Sequence, residues 1–316
     1  MSKRILVIFF LSLLVPQVSA KEIAITFDDA PRSGSAFMRG DEIAERLIKE
    51  LKSRDVDGAA FFITTKNIVN DKALNRLQRY VDAGFDLANH GHGHLSAKKV
   101  KPYKYLADFY TSHLISKDFE GLLKLHRFPY LHQADNEKDR KRIYDEINRL
   151  GYGHGYITVD NYDWYLNSIL VKAHKEGREV NLDNLKRLYL DTLLDNIEFY
   201  DEVAIQSLGR SPKHVLLLHE NEIAALFIGD LIDRLRAKGW KIISPKEAYA
   251  DPIANSYDPS HELTGQGRVA AIAHSKGMPK DRLKNNNEDE AYLDKKAIEY
   301  RVYKGEERRF IDTQII

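Results

Sequence analysis

Ile23-Ala24-Ile25-Thr26-Phe27-Asp28-Asp29 is a short apolar run that ends on two aspartates. The run reads as a buried strand. With paired carboxylates at its end, one can ligate a metal while its neighbour serves as a base. Further along, Phe85-Asp86-Leu87-Ala88-Asn89 reads as another strand and delivers His90-Gly91-His92-Gly93-His94. Imidazole is the commonest protein ligand for zinc-like ions. Two histidines and one carboxylate would leave coordination positions open to water and substrate, as catalytic rather than structural sites do.

Outward from these stretches, apolar runs alternate with amphipathic ones. Strands are expected at residues 58–64, 123–128, 156–159, 214–218 and 241–243. Helices are expected at residues 41–54, 71–83, 137–150, 182–200 and 223–237. Such alternation implies an α/β protein with a parallel sheet, and the number of repeats points to a (β/α) barrel. Asp28, Asp29, His90, Arg127, Asp160 and His219 all fall at or just past the C-terminal end of an expected strand. In a barrel, that rim is where active sites are built.

The chain has 316 residues, 43% of them hydrophobic and 30% charged, with a formal net charge of +1. A core is affordable, and no strong global field favours nucleic acid or an anionic membrane. Lys3-Arg4, the apolar run 5–15 and Val18-Ser19-Ala20 have the layout of a secretory signal cleaved after Ala20. The alternative, an uncleaved anchor, needs a longer run to span a bilayer. Export to a periplasm, cell envelope or extracellular space is expected, with no stable membrane insertion after cleavage. With no cysteine in the chain, stability must come from packing and bound metal. The division expected is a signal at 1–20, a catalytic domain at 21–250 and an extension at 251–316. Within the extension, Gly265-Gln266-Gly267-Arg268 leads into an apolar segment at 269–273, residues 285–290 read as a solvated loop, and 291–303 can form a helix. Part of the extension should pack on the barrel or on a second subunit and shape one end of a groove. The oligomeric state is left open.

Five motifs in order give the chain a resemblance to the polysaccharide deacetylases with NodB homology, carbohydrate esterase family four. They are Thr26-Phe27-Asp28-Asp29, His90-Gly91-His92-Gly93-His94, Arg127-Phe128-Pro129-Tyr130, Asp160-Asn161-Tyr162-Asp163-Trp164 and Leu216-Leu217-Leu218-His219. The resemblance covers roughly residues 22–245. It implies a distorted (β/α) barrel with a divalent metal, zinc or else cobalt or nickel, on Asp29, His90 and His94. It further implies Asp28 as general base, Arg127 as its partner, and the Tyr130 backbone N–H at the developing oxyanion. Trp164 would wall the acetyl pocket. His219 would be the general acid, supported by Asp160 or, as the second choice, Asp163.

His92 is expected to point away from the metal, and His126, His132 and His154 to be loop or structural residues. Ala30 and Gly91 depart from the pattern; Gly91 forgoes a side-chain hydrogen bond, which should loosen the histidine loop. The implied substrate is an N-acetylated glycan: peptidoglycan, a chitin oligomer or another N-acetylhexosamine polymer. An O-acetyl esterase and a non-catalytic glycan-binding module are the alternatives. No phosphate loop, dinucleotide fingerprint or G-x-S-x-G elbow is present, which argues against nucleotide chemistry and serine hydrolysis.

Overall fold

In the computed structural model, which describes residues 21–256 and 265–305, the apolar run becomes the central strand β1, Lys21–Ala30. Residues Ile23 to Asp28 are buried without alternation, as expected for a parallel strand covered on both faces. The other strands are β2 (Ala59–Ile63), β3 (Asp86–Asn89), β4 (Leu122–His126), β5 (Gly153–His154), β6 (Lys213–His219) and β7 (Trp240–Ile242). They pair in the order β5-β4-β3-β2-β1-β6. β7 takes the place beside Lys21–Ile23, and β2 pairs with β1 from Ile25 onward. Every pairing is parallel.

Helices fill the connections: α1 (Gly40–Lys52), α2 (Asp71–Asp82), α3 (Pro102–Ser116), α4 (Glu137–Arg149), α5 (Asp163–Lys175), α6 (Leu182–Leu208), α7 (Glu222–Ala237) and the short α8 (Pro245–Ala248). In α1 the buried Ile43, Ala44, Leu47 and Leu51 form one stripe at helical spacing. The result is a parallel sheet curled into an incomplete barrel.

The strand expected at 156–159 does not form. β5 is displaced to Gly153–His154, and the following segment meets β6 through one parallel bridge, Val159 to Leu216. The cause is Thr158. Its hydroxyl accepts the Val215 N–H at 2.7 Å, so a side chain takes the place of a ladder carbonyl. Backbone bonds from the Thr158 and Val159 N–H groups to the Val215 carbonyl, and from the Leu217 N–H to the Val159 carbonyl, complete this seam.

Beyond residue 250 the chain adds α9 (Arg268–Ser275) and α10 (Glu290–Glu299). Val269, Ile272, Leu283, Leu293 and Val302 belong to the same apolar core as β1 and β6. Residues 285–290 are not a solvated loop: Asn287 and Glu288 are buried. Asn285 and Glu288 satisfy one another in a reciprocal cap, and the Tyr200 hydroxyl donates to Glu288 Oε1 at 2.7 Å. The expected signal at 1–20 lies outside the described residues, among which no helix is long and apolar enough to cross a membrane.

Candidate active site

The ends of β1, β3 and β6 converge on one cavity of about 780 Å³ lined by Asp28, Asp29, His90, His94 and His219. Asp29 Oδ1 and one ring nitrogen each of His90 and His94 lie within 4.8 Å of one another. Oδ1 is 3.3 Å from His94 Nε2 and 3.9 Å from His90 Nε2. Tetrahedral zinc ligands at ~2.1 Å stand roughly 3.4 Å apart, so these three fit such an ion.

His90 Nδ1 donates to the Arg127 carbonyl at 3.0 Å, which fixes the ring with Nε2 turned to the cluster. Burial and the neighbouring His94 push the His90 pKa well below the usual imidazole range, so the ring stays neutral and able to ligate. Burial opposes charge on Asp29 too, but His219, His90, His94 and Arg32 outweigh it and hold its carboxyl below the usual range. Asp29 and His94 both have left-handed backbones, with φ of 70° and 55°. Such geometry in non-glycine residues is uncommon and gathers at functional sites.

Asp28 is buried beside the cluster. Its Oδ1 accepts from Arg127 at 2.5 Å, and its Oδ2 lies 3.5 Å from His90 Nε2. Burial raises its pKa against the pull of Arg127 and His219. Arg127 is fully buried and satisfied on all sides. It donates to Asp28, to the Gly155 carbonyl at 2.8 Å and to the Tyr249 hydroxyl at 2.9 Å, while stacking 3.7 Å from the Phe62 ring centroid.

His219 holds a different carboxylate from the one the sequence favoured. Its Nδ1 is 2.7 Å from Asp163 Oδ1, and its backbone N–H donates to Asp163 Oδ2 at 2.9 Å. Burial disfavours the imidazolium, but the Asp163 charge and hydrogen bond, with Asp29 and Asp28, raise its pKa to about 9. Asp160 is corrected from that partnership. Its Oδ1 is turned back to accept the Asn161 N–H at 2.8 Å, and it lines the cavity elsewhere. The reason is helical: Asp163 opens α5, which aims its carboxylate across at the end of β6.

Tyr130 (φ 59°) and Leu131 (φ 53°) form a left-handed turn after β4. The Tyr130 ring packs 4.4 Å from His94 and is 58% exposed. Trp164, 38% exposed, stands at the cavity mouth beside Tyr162 at 5.1 Å.

The histidine loop is braced rather than loose. Asp108, on α3, accepts the His92 N–H at 2.8 Å and the Gly93 N–H at 2.7 Å. A Cβ at Gly91 would stand 2.8 Å from Asp108 Oδ2, and one at Gly93 2.9 Å from Oδ1. Both glycines admit the brace. His92 points away from the cluster, its Nδ1 3.0 Å from Thr65 Oγ1. His126 is buried between Asn89 and Tyr105.

Sequence reasoning missed Asp108, Tyr249, Glu220 and Glu288. Glu220 accepts from Tyr80 and from the Arg32 backbone, both at 2.5 Å, and its burial raises its pKa to about 7. Position right after His219 was the one available signal for Glu220. None of the four sits in a motif that could have flagged it.

Residues 16–152 match the family model described as polysaccharide deacetylase. Among solved structures, a CE4 family pseudoenzyme from Bacillus anthracis superposes with a TM-score of 0.50 at 19% identity, over 72% of this chain and 65% of that one. A mutant pseudoenzyme with restored enzymatic activity gives a TM-score of 0.50 at 20% identity, over 72% and 67%. A peptidoglycan N-acetylglucosamine deacetylase gives 0.49 at 21% identity, over 72% and 87%. At these identities the likeness is one of fold. Among curated proteins, none matches the chain.

Proposed function

We propose that the protein is an exported, metal-dependent deacetylase that releases acetate from an N-acetylated glycan such as peptidoglycan or a chitin oligomer. One observation carries the reading: a buried carboxylate aligned by Arg127 and a histidine charged by Asp163 border the same three-ligand cluster in one cavity. Asp29, His90 and His94 would hold the ion. When bound, a divalent ion supplies Lewis-acid polarisation and brings the pKa of water from ~15.7 towards ~7.

The chain's own groups account for the proton traffic. Asp28, one oxygen pinned by Arg127, takes the proton of the attacking water as that water adds to the acetyl carbonyl carbon. The backbone N–H of Tyr130, a residue whose ring packs 4.4 Å from that of His94, serves the developing oxyanion. His219, protonated below about pH 9, gives its proton to the amine nitrogen as the C–N bond breaks. Asp163 holds the ring and its charge in place. Acetate and a free amine leave. Trp164 and Tyr130 line the same cavity, and in this reading they wall the acetyl group.

Fold alone does not imply activity, and the Bacillus anthracis relative is described as a pseudoenzyme. Acetate release is therefore the test. The protein, with zinc or cobalt added, should deacetylate N-acetylglucosamine oligomers and lose that activity on chelation. Release from O-acetylated xylan alone would make it an esterase, and release from neither would leave a glycan-binding module. Full activity after complete metal removal would overturn the metal assignment.

A further inference from the structure

The cavity that holds the Asp29, His90 and His94 cluster is also walled by the C-terminal segment: Gln266, Lys284 and Glu288 line the same space as Asp160 and Tyr162. Glu288 is fully buried, and its two oxygens have different fates. Oε1 anchors the segment by accepting from Tyr200 at 2.7 Å and from the Asn285 N–H at 3.2 Å. Oε2 is buried with no donor in hydrogen-bonding geometry, the Gln266 side chain being its polar neighbour. A buried acceptor left unpaired is costly, and anchoring the segment does not require this second oxygen.

We propose that Glu288, Lys284 and Gln266, with Asp160 and Tyr162, form a subsite that binds the hydroxyls of a neutral sugar ring next to the one losing its acetyl group. This rests on the glycan reading above and adds to it the part of the site that measures chain length. The chemistry of the walls favours a neutral ligand over a cation. Burial, and for Asp160 also the adjacent Glu288, holds both carboxyls above the usual range, so the pair resists full ionisation. Lys284 lies 5.4 Å from the Tyr162 ring centroid and adds a donor that would repel an ammonium group. Tyr162 and Trp164 supply flat apolar surface, and a few placed polar groups amid aromatic surface are what ligand sites use to orient a molecule.

Calorimetric titration of the zinc-loaded mature protein with N-acetylglucosamine, its tetramer and xylotetraose tests this without relying on turnover. The wild type should bind the tetramer more tightly than the monomer. Glu288→Met removes the open oxygen while leaving Tyr200 the Gln266 carbonyl at 3.0 Å. Lys284→Ala changes an exposed side chain, so its fold is not at risk. Each should cut tetramer affinity about tenfold, as loss of a charged hydrogen bond does, and cut monomer affinity less. Wild-type chain-length preference in Lys284→Ala and in folded Glu288→Met would overturn the subsite, as would a wild type that binds monomer and both tetramers equally or not at all. Tight, length-dependent binding without acetate release would overturn the deacetylase reading and leave the subsite standing.

Discussion

Asp28 is held by opposed forces. Burial favours its neutral form, while Arg127 at 2.5 Å favours the carboxylate and fixes its direction. Asp28→Asn keeps the shape and removes the proton acceptor. Acetate release should fall at least ~10²-fold with zinc content unchanged by elemental analysis; wild-type rates would rule out the base. His219 is the reverse case, its pKa raised from about 6.5 to about 9, against burial, chiefly by Asp163. A raised pKa stabilises the fold fully below the unfolded value of about 6.5, and that contribution is lost as pH climbs through about 9. Asp163→Asn should therefore lower the melting temperature most near pH 6 and least above pH 9. Its pH–rate profile should also lose activity on the alkaline side at lower pH than the wild type. An alkaline limb that stays in place would separate His219 from the acid step.

The histidine loop shows which relations between elements a sequence can display. β1, β3 and β6 deliver Asp28, His90 and His219 at or just past their C-terminal ends, and those positions were legible because apolar runs stop abruptly at polar residues. α3 was not foreseen, since its polar and aromatic residues trace no clean stripe, and with it went Asp108, which braces the loop from a helix that follows it. The Asp160 assignment failed similarly: α5 was not among the expected helices, although Leu166, Ile169, Leu170 and Ala173 are its buried stripe. Only a helix beginning at Asp163 shows which carboxylate reaches His219. Asp108→Ala should free two loop N–H groups and weaken zinc binding by ~10–100-fold, the usual penalty for losing support behind the ligands. Competition with a chelating dye measures this, and undiminished zinc affinity would mean the loop holds its shape unaided.

The molecule as a whole depends on residues 265–305 more than their composition suggests. Apolar patterning in residues 265–303 pointed to packing, but the run from Asn285 to Glu290 looked solvated because polarity says nothing about partners. Tyr200 and Thr192, far back on α6, are the buried partners that draw Glu288 and Asn287 inward. Leu293 is fully buried in the core that contains β1, whereas Lys295, two residues on, makes only a surface pair with Glu299 at 3.9 Å. Leu293→Ala should cost ~2–5 kcal/mol through lost burial and a residual cavity. Lys295→Ala should cost no more than ~0.5 kcal/mol, the worth of an exposed helical pair. Denaturant midpoints at constant slope read both. Because the same segment carries Glu288 into the cavity, Leu293→Ala should also weaken tetramer binding at temperatures where the barrel remains folded. Equal, negligible effects from the two substitutions would make the C-terminal segment a separable appendage, and the cavity would then have to be complete without it.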